Sequence, residues 1–136
     1  MPDITKVDLS QYRFRKAEEM LASARRDMEA KDYASANNRA YYAIFHAMRA
    51  VLALDGEDFK KHSAVIARFT MDYLKPEILP REYSRLISNA SLIRNRSDYE
   101  DFYICSVADT NALFSGAVTF CGDIGKYLEQ RYRTEL

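Results

Sequence analysis

Tryptophan is absent from this 136-residue chain, and cysteine, histidine, proline and glycine are scarce, with two, two, three and four copies. Two cysteines cannot build a disulfide framework. Cys105 and Cys121 are sixteen residues apart, about 24 Å along one helix at 1.5 Å per residue, so buried free thiols are expected. His46, His62 and these cysteines show no metal-ligand spacing, so neither a metal nor a cofactor is expected. An excess of either charge is also missing: Lys plus Arg and Asp plus Glu number 20 each. Without a global field to draw the chain onto a polyanion, any nucleic-acid contact has to be local. No stretch approaches the ~18 apolar residues of a membrane span, and MPDITKVDLSQY lacks the basic flank and apolar core of a secretion signal. A cytoplasmic protein without membrane contact is the expectation.

What is present is a globular balance of 48% apolar and 29% charged residues. This length suits one domain spanning residues 1–136 with its own core. The apolar residues recur at helical spacing. Asp8-Leu9-Ser10-Gln11 has the form of a capping box and precedes Ala17, Met20, Leu21, Ala24 and Met28, predicting helix 1 from about Leu9 to Ala30. Asp32 can cap helix 2, whose stripe Ala36, Ala40, Ala43, Ile44, Ala47, Val51 and Leu54 ends at Asp55-Gly56, where glycine permits a left-handed turn. Small residues along that stripe let neighbouring axes approach, so helix 2 is expected at the centre.

His62-Ser63 offers a cap for a short helix 3 carrying Val65, Ile66, Phe69, Tyr73 and Leu74, stopped by Lys75-Pro76. Pro80 suits the first turn of helix 4, with Tyr83, Leu86, Ile87, Ala90 and Ile93 on one side. Ser106 and Asp109 cap helix 5, with a stripe of Val107, Phe114, Ala117, Val118, Cys121, Ile124, Leu128 and Tyr132. Gly116, Gly122 and Gly125 within it imply a bend or a close helix contact. The expected fold is all-α: an antiparallel up-and-down bundle of about five helices, four long and one short.

The most informative segment is Ser91-Leu92-Ile93-Arg94-Asn95-Arg96-Ser97-Asp98-Tyr99. At 100° per residue Arg94 lies within about 40° of Tyr83, Ile87 and Ala90, on the core face. A guanidinium aimed inward needs a carboxylate, a set of acceptors or a cleft open to an anionic ligand. Asp98, one turn on, is the nearest partner, so Arg94 either closes the helix as a structural pair or faces a ligand. His46 shares a face with Arg39 and Tyr42, about 100° from Ala47, and is either a packed polar filler or part of a second cleft. His62, beside Lys60 and Lys61, reads as a loop or cap residue. Lys61 with Arg94 and Arg96 forms a candidate anion site. Tyr41, Tyr42, Phe45, Tyr99, Phe102 and Tyr103 either stack bases or serve core and dimer contacts.

Three segments together resemble the HEPN superfamily: Ala36-Asn37-Asn38-Arg39-Ala40-Tyr41-Tyr42-Ala43-Ile44-Phe45-His46-Ala47, then Lys61-His62-Ser63, then Arg94-Asn95-Arg96-Ser97-Asp98-Tyr99. The branch it resembles contains small stand-alone prokaryotic proteins with an RxxxDY signature, often beside minimal nucleotidyltransferases. That resemblance implies a homodimer with paired Arg motifs across a cleft, a nucleotidyltransferase partner in a toxin-antitoxin-like pair, and RNA or a nucleotide as ligand. Active members share an Arg-polar-x4-6-His motif in which Arg contacts phosphate and His assists attack by the ribose 2′-hydroxyl. Arg94 and Asn95 match its first two positions, but the nearest position for the histidine holds Tyr99, and no His follows. A tyrosine with pKa near 10 is a poor base at neutral pH.

Candidate catalytic residues are therefore Arg94, Asn95, Asp98 and Tyr99, with His46 as the substitute base. Three functions follow in order: a phosphate-binding or regulatory module, a metal-independent ribonuclease with a non-standard base, and a protein-interaction bundle in which Arg94 and Asp98 form only an ion pair.

Overall fold

The computed structural model describes residues 5–101 and 103–135. It is an all-α bundle of five helices with no strand among the described residues: α1 (Lys6–Glu29), α2 (Tyr33–Leu54), α3 (His62–Phe69), α4 (Tyr83–Tyr99) and α5 (Val107–Glu135). Among the described residues no helix is long and apolar enough to cross a membrane.

Capping residues set most of these boundaries. Thr5, rather than Asp8, opens α1: its Oγ1 accepts from the Asp8 amide at 3.0 Å, and Asp8 returns the bond to the Thr5 amide at 3.4 Å. The box is real, but Asp8 is the N3 residue in the first turn rather than the cap, so the helix begins three residues before the expected Leu9. Asp32 caps α2 through the Ser35 amide at 3.2 Å. At the other end Gly56 takes φ +75°, and the amides of Gly56 and Glu57 return to the carbonyls of Ala53 and Leu52. That reciprocal pair is the usual glycine stop.

His62-Ser63 does not cap α3. Lys61 occupies the cap position without a side-chain bond, and His62 is the first helical residue. Helix 3 reaches Leu74 as expected, but its last turn, Thr70–Leu74, widens to a π-helical turn. Ser106 caps α5 through the Asp109 amide at 3.0 Å, whereas α4 starts after a turn in which the Tyr83 amide bonds the Pro80 carbonyl.

Helix α2 lies at the centre and touches all four others. Its Ala36, Ala40, Ala43, Ala47 and Ala50 are buried, so small side chains admit neighbouring backbones. Phe120 of α5 packs edge-on against Phe69 and Tyr83, with centroids 5.9 and 4.9 Å apart. In α5, Leu113 and Phe120 take buried places that the expected stripe gave to Val107 and Val118, both exposed. Val118 is about 100° from the buried Ala117, whereas Leu113 and Phe120 are about 40° and 60° from it. Cys105 and Cys121 are free thiols; burial pushes that of Cys121 up to about 12.

Candidate functional site

Arg94 projects from the core face of α4 onto α2 and is 24% exposed. Its guanidinium carbon lies 5.1 Å from the Tyr41 ring centroid and 5.6 Å from that of Tyr42. Such cation-π contacts contribute about 0.5–2 kcal/mol depending on desolvation. The expected Asp98 partner is present, but Nε is 3.7 Å from Asp98 Oδ2, beyond a good hydrogen bond. That Nε is buried and makes no hydrogen bond. A partly buried charge whose carboxylate partner is this loose is incompletely compensated.

Beside Arg94 opens a cavity of about 250 Å³, lined in part by Asn37, Asn38, Arg39, Ser97 and Asp98. Asn37 is only 3% exposed, and neither its Nδ2 nor its Oδ1 has a hydrogen-bond partner. An orphaned buried amide costs about 1–3 kcal/mol. Donor, acceptor and cation thus converge on one small polar space beside the Arg94 guanidinium.

The site continues along α2. Beyond Ala40, its only residues that are not buried are Tyr42, His46 and Arg49, at i, i+4 and i+7. The Tyr41 hydroxyl lies 2.9 Å from His62 Nδ1, and the His62 ring lies 4.1 Å from that of Phe45. Burial, with a smaller opposing pull from Arg94, raises the Tyr41 phenol above its ordinary range. Burial, then Arg94 and Arg49, lower the His62 imidazole. His46 is lowered to about 4, chiefly by burial and then by Arg49, Lys16, Arg13 and His62. Both imidazoles are therefore neutral at pH 7, in a positive local field set by the arginines. At the far end Arg13 of α1 and Arg49 share one carboxylate oxygen, Asp58 Oδ1, at 3.0 Å each.

Other expected site residues lie elsewhere. Arg96, about 200° around α4 from Arg94, pairs with Glu100 at 2.8 Å and covers the Tyr103 ring at 4.6 Å. Asn95 is exposed, and Tyr99 is 81% exposed. Lys61 stands exposed at the cap of α3, next to His62. Phe102 lies outside the described residues. Among those residues no group of three His, Cys, Asp or Glu is arranged to hold a metal.

Asn37, His62 and Arg13 escaped the sequence reading as site residues. For two of them a signal existed: Asn37 falls within about 20° of Ile44 and Met48, and Arg13 within about 40° of Ala17, Met20 and Ala24. Polar groups on apolar stripes mark both, as they marked Arg94.

Comparison with known proteins bears on the same segments. A protein of Methanocaldococcus jannaschii named "Putative toxin MJ0605" is 37% identical over 83 residues, covering 61% of this chain and 62% of its own length. A Thermotoga maritima protein named "UPF0332 protein" is 28% identical over 128 residues, 94% of this chain and 97% of its own. A second M. jannaschii protein, "Putative toxin MJ0142", is 26% identical over 84% of this chain and 82% of its own. The family described as "HEPN domain" matches residues 10–119, which include Asn37, His46, His62 and Arg94. With helical architecture and sequence in agreement over most of its length, this chain belongs to the HEPN domain family.

Proposed function

We propose that this protein binds a nucleotide or RNA phosphate through Arg94 and acts as a cytoplasmic homodimer with a nucleotidyltransferase partner in a toxin-antitoxin-like pair. The observation that carries this reading is the half-buried Arg94 guanidinium, bonded by no acceptor at Nε and facing the cavity with the orphaned Asn37 amide. A phosphate oxygen supplies the missing acceptor, Tyr41 and Tyr42 hold the guanidinium plane, and the amide can pair with a base edge. Two relatives named as toxins support the toxin-like role. Exposed Tyr99, Ile104 and Val107 around the α4–α5 connection offer apolar area for the second copy.

The test is a titration with AMP and a short single-stranded RNA at two salt concentrations. Binding is expected to weaken with salt and to fall at least about tenfold in Arg94→Ala, since a charge-assisted hydrogen bond contributes ~1.5–3 kcal/mol. Arg94→Lys should recover only part of it, because lysine lacks the planar fork. Binding indifferent to Arg94 overturns the proposal. Sedimentation of the protein alone, and mixed with a minimal nucleotidyltransferase, tests the two assemblies.

A second reading, a metal-independent ribonuclease, is favoured by one observation: neutral His62 shares Tyr41 and Tyr42 with Arg94. His62 rather than His46 is the candidate acceptor of the 2′-hydroxyl proton, because a group near 4 is too weak a base at neutral pH. RNA cleavage by chelator-treated protein, lost in both His62→Ala and Arg94→Ala, is the outcome this reading requires.

A further inference from the structure

Among the described residues, seven buried side-chain polar atoms lack a hydrogen-bond partner, and five of them belong to Asn37, His46, Arg49 and Arg94. His46 and Arg49 share the open face of α2 with Tyr42, Asn37 lies about 180° around the helix from His46 in the Arg94 cavity, and Arg94 lies over Tyr41 and Tyr42 between them. From Tyr42 to Arg49 is seven residues, about 10 Å of helix.

At the Arg49 end the guanidinium also covers the Phe45 ring at 5.9 Å, and Arg13 donates to the Arg49 carbonyl at 3.5 Å. Two guanidinium groups meet there, against a single carboxylate, Asp58, which is 63% exposed. One positive charge is left over, and its Arg49 Nε is unbonded.

We infer that the ligand is a single-stranded polynucleotide of about three or more nucleotides, lying along α2 with one phosphate on Arg94 and a later one on Arg49 and Arg13. This rests on the Arg94 reading above and extends it from one phosphate to a track. Stacked nucleotides advance ~3.4 Å along a strand, so 10 Å spans about three steps. Tyr42 is the half-buried aromatic on the open face between the two ends, and His46 the neutral polar group beside it. Stacking on aromatic faces with arginines tracking the backbone is how single strands are held without sequence preference. Asp58 occupies the second phosphate position with a carboxylate until a strand displaces it.

The experiment measures affinity of the full chain for AMP and for 5′-phosphorylated oligoadenylates of two to six nucleotides, in RNA and DNA form, across a salt series. Affinity is expected to rise at least about tenfold from one nucleotide to four and then level off, since each stacked base adds roughly that factor. The log-log salt slope should steepen from about −0.7 towards about −1.4 as contacts go from one phosphate to two. Arg49→Gln should collapse the ratio of tetranucleotide to mononucleotide affinity and flatten the slope by about 0.7. Asp58→Asn, which keeps the arginines and removes the competing carboxylate, should tighten tetranucleotide binding. RNA and DNA ladders that coincide assign the contacts to phosphate and base, and a rise in RNA alone adds the 2′-hydroxyl. Arg94-dependent AMP binding with no gain from length, a length gain untouched by Arg49→Gln, or weaker binding in Asp58→Asn overturns the track and leaves the single-phosphate site standing. Absence of any Arg94-dependent binding overturns both.

Discussion

Asn37 is the residue whose chemistry and position conflict most. An amide with no partner inside an alanine-rich helix face destabilises the free protein, and folds keep such groups where a ligand later satisfies them. Asn37→Leu, close in volume and free of polar atoms, should therefore stabilise the unliganded protein by about 1–3 kcal/mol in urea unfolding. The same substitution should weaken nucleotide binding, the exchange of stability for function common at binding sites. A loss of stability would show that the amide already has a partner and would remove it from the ligand contacts. At this scale the sequence was legible wherever one side chain broke a stripe: Arg94 is aimed inward as its 100° spacing requires. What a stripe does not carry is the neighbour across the gap. His62 looks like a loop residue until α3 folds back and brings its ring to Tyr41 and Phe45, a pairing between residues 21 and 17 positions apart.

At the level of elements, helix boundaries followed caps where a short side chain reaches its own backbone, as at Asp32 and Ser106, and Gly56 marked a stop because φ +75° suits glycine. Thr5 was missed because two overlapping segments satisfy the same capping rule, and nothing local ranks them. The glycines of α5 separate in the same way, by what lies opposite. A Cβ on Gly116 would fall 2.6 Å from Leu86 Cδ1, whereas one on Gly122 would meet nothing within 4 Å. Gly122→Ala should thus stabilise the protein by ~0.5–1 kcal/mol through helix propensity alone. In Gly116→Ala that gain is cancelled, because Leu86 must leave its place in the α4–α5 contact at a cost of ~1–3 kcal/mol. Thermal unfolding of the two variants should move in opposite directions, or leave Gly116→Ala at the wild-type midpoint. Equal stabilisation of both would mean that α4 and α5 do not approach as closely as described.

For the whole molecule, zero net charge conceals a segregated field. Arg13 and Lys16 from α1, Arg49 from α2 and Arg94 from α4 surround the two imidazoles, and the first three, after burial, lower His46 from 6.5 to about 4. In the unfolded chain that histidine returns to about 6.5 and takes up its proton more readily, so the unfolded state binds more protons between these values. Stability is then fully present above about pH 6.5 and falls as the pH drops towards 4. His62, also lowered by burial and by Arg94 and Arg49, adds to the same slope. The full shift corresponds to about 3 kcal/mol; because His46 reaches solvent, a loss on the order of 2 kcal/mol is expected between pH 7 and 4.5. The depressed carboxyls of Asp32 and Asp58 act in a different window, since their contributions persist above about 4 and disappear only below it. Urea midpoints measured from pH 7 to 4.5 should fall steadily in the wild type and markedly less in His46→Gln, which cannot take up the proton. A wild-type midpoint flat across that range, or an undiminished slope in the variant, would mean that burial and the cations around His46 do not together hold its imidazole neutral on this face of α2.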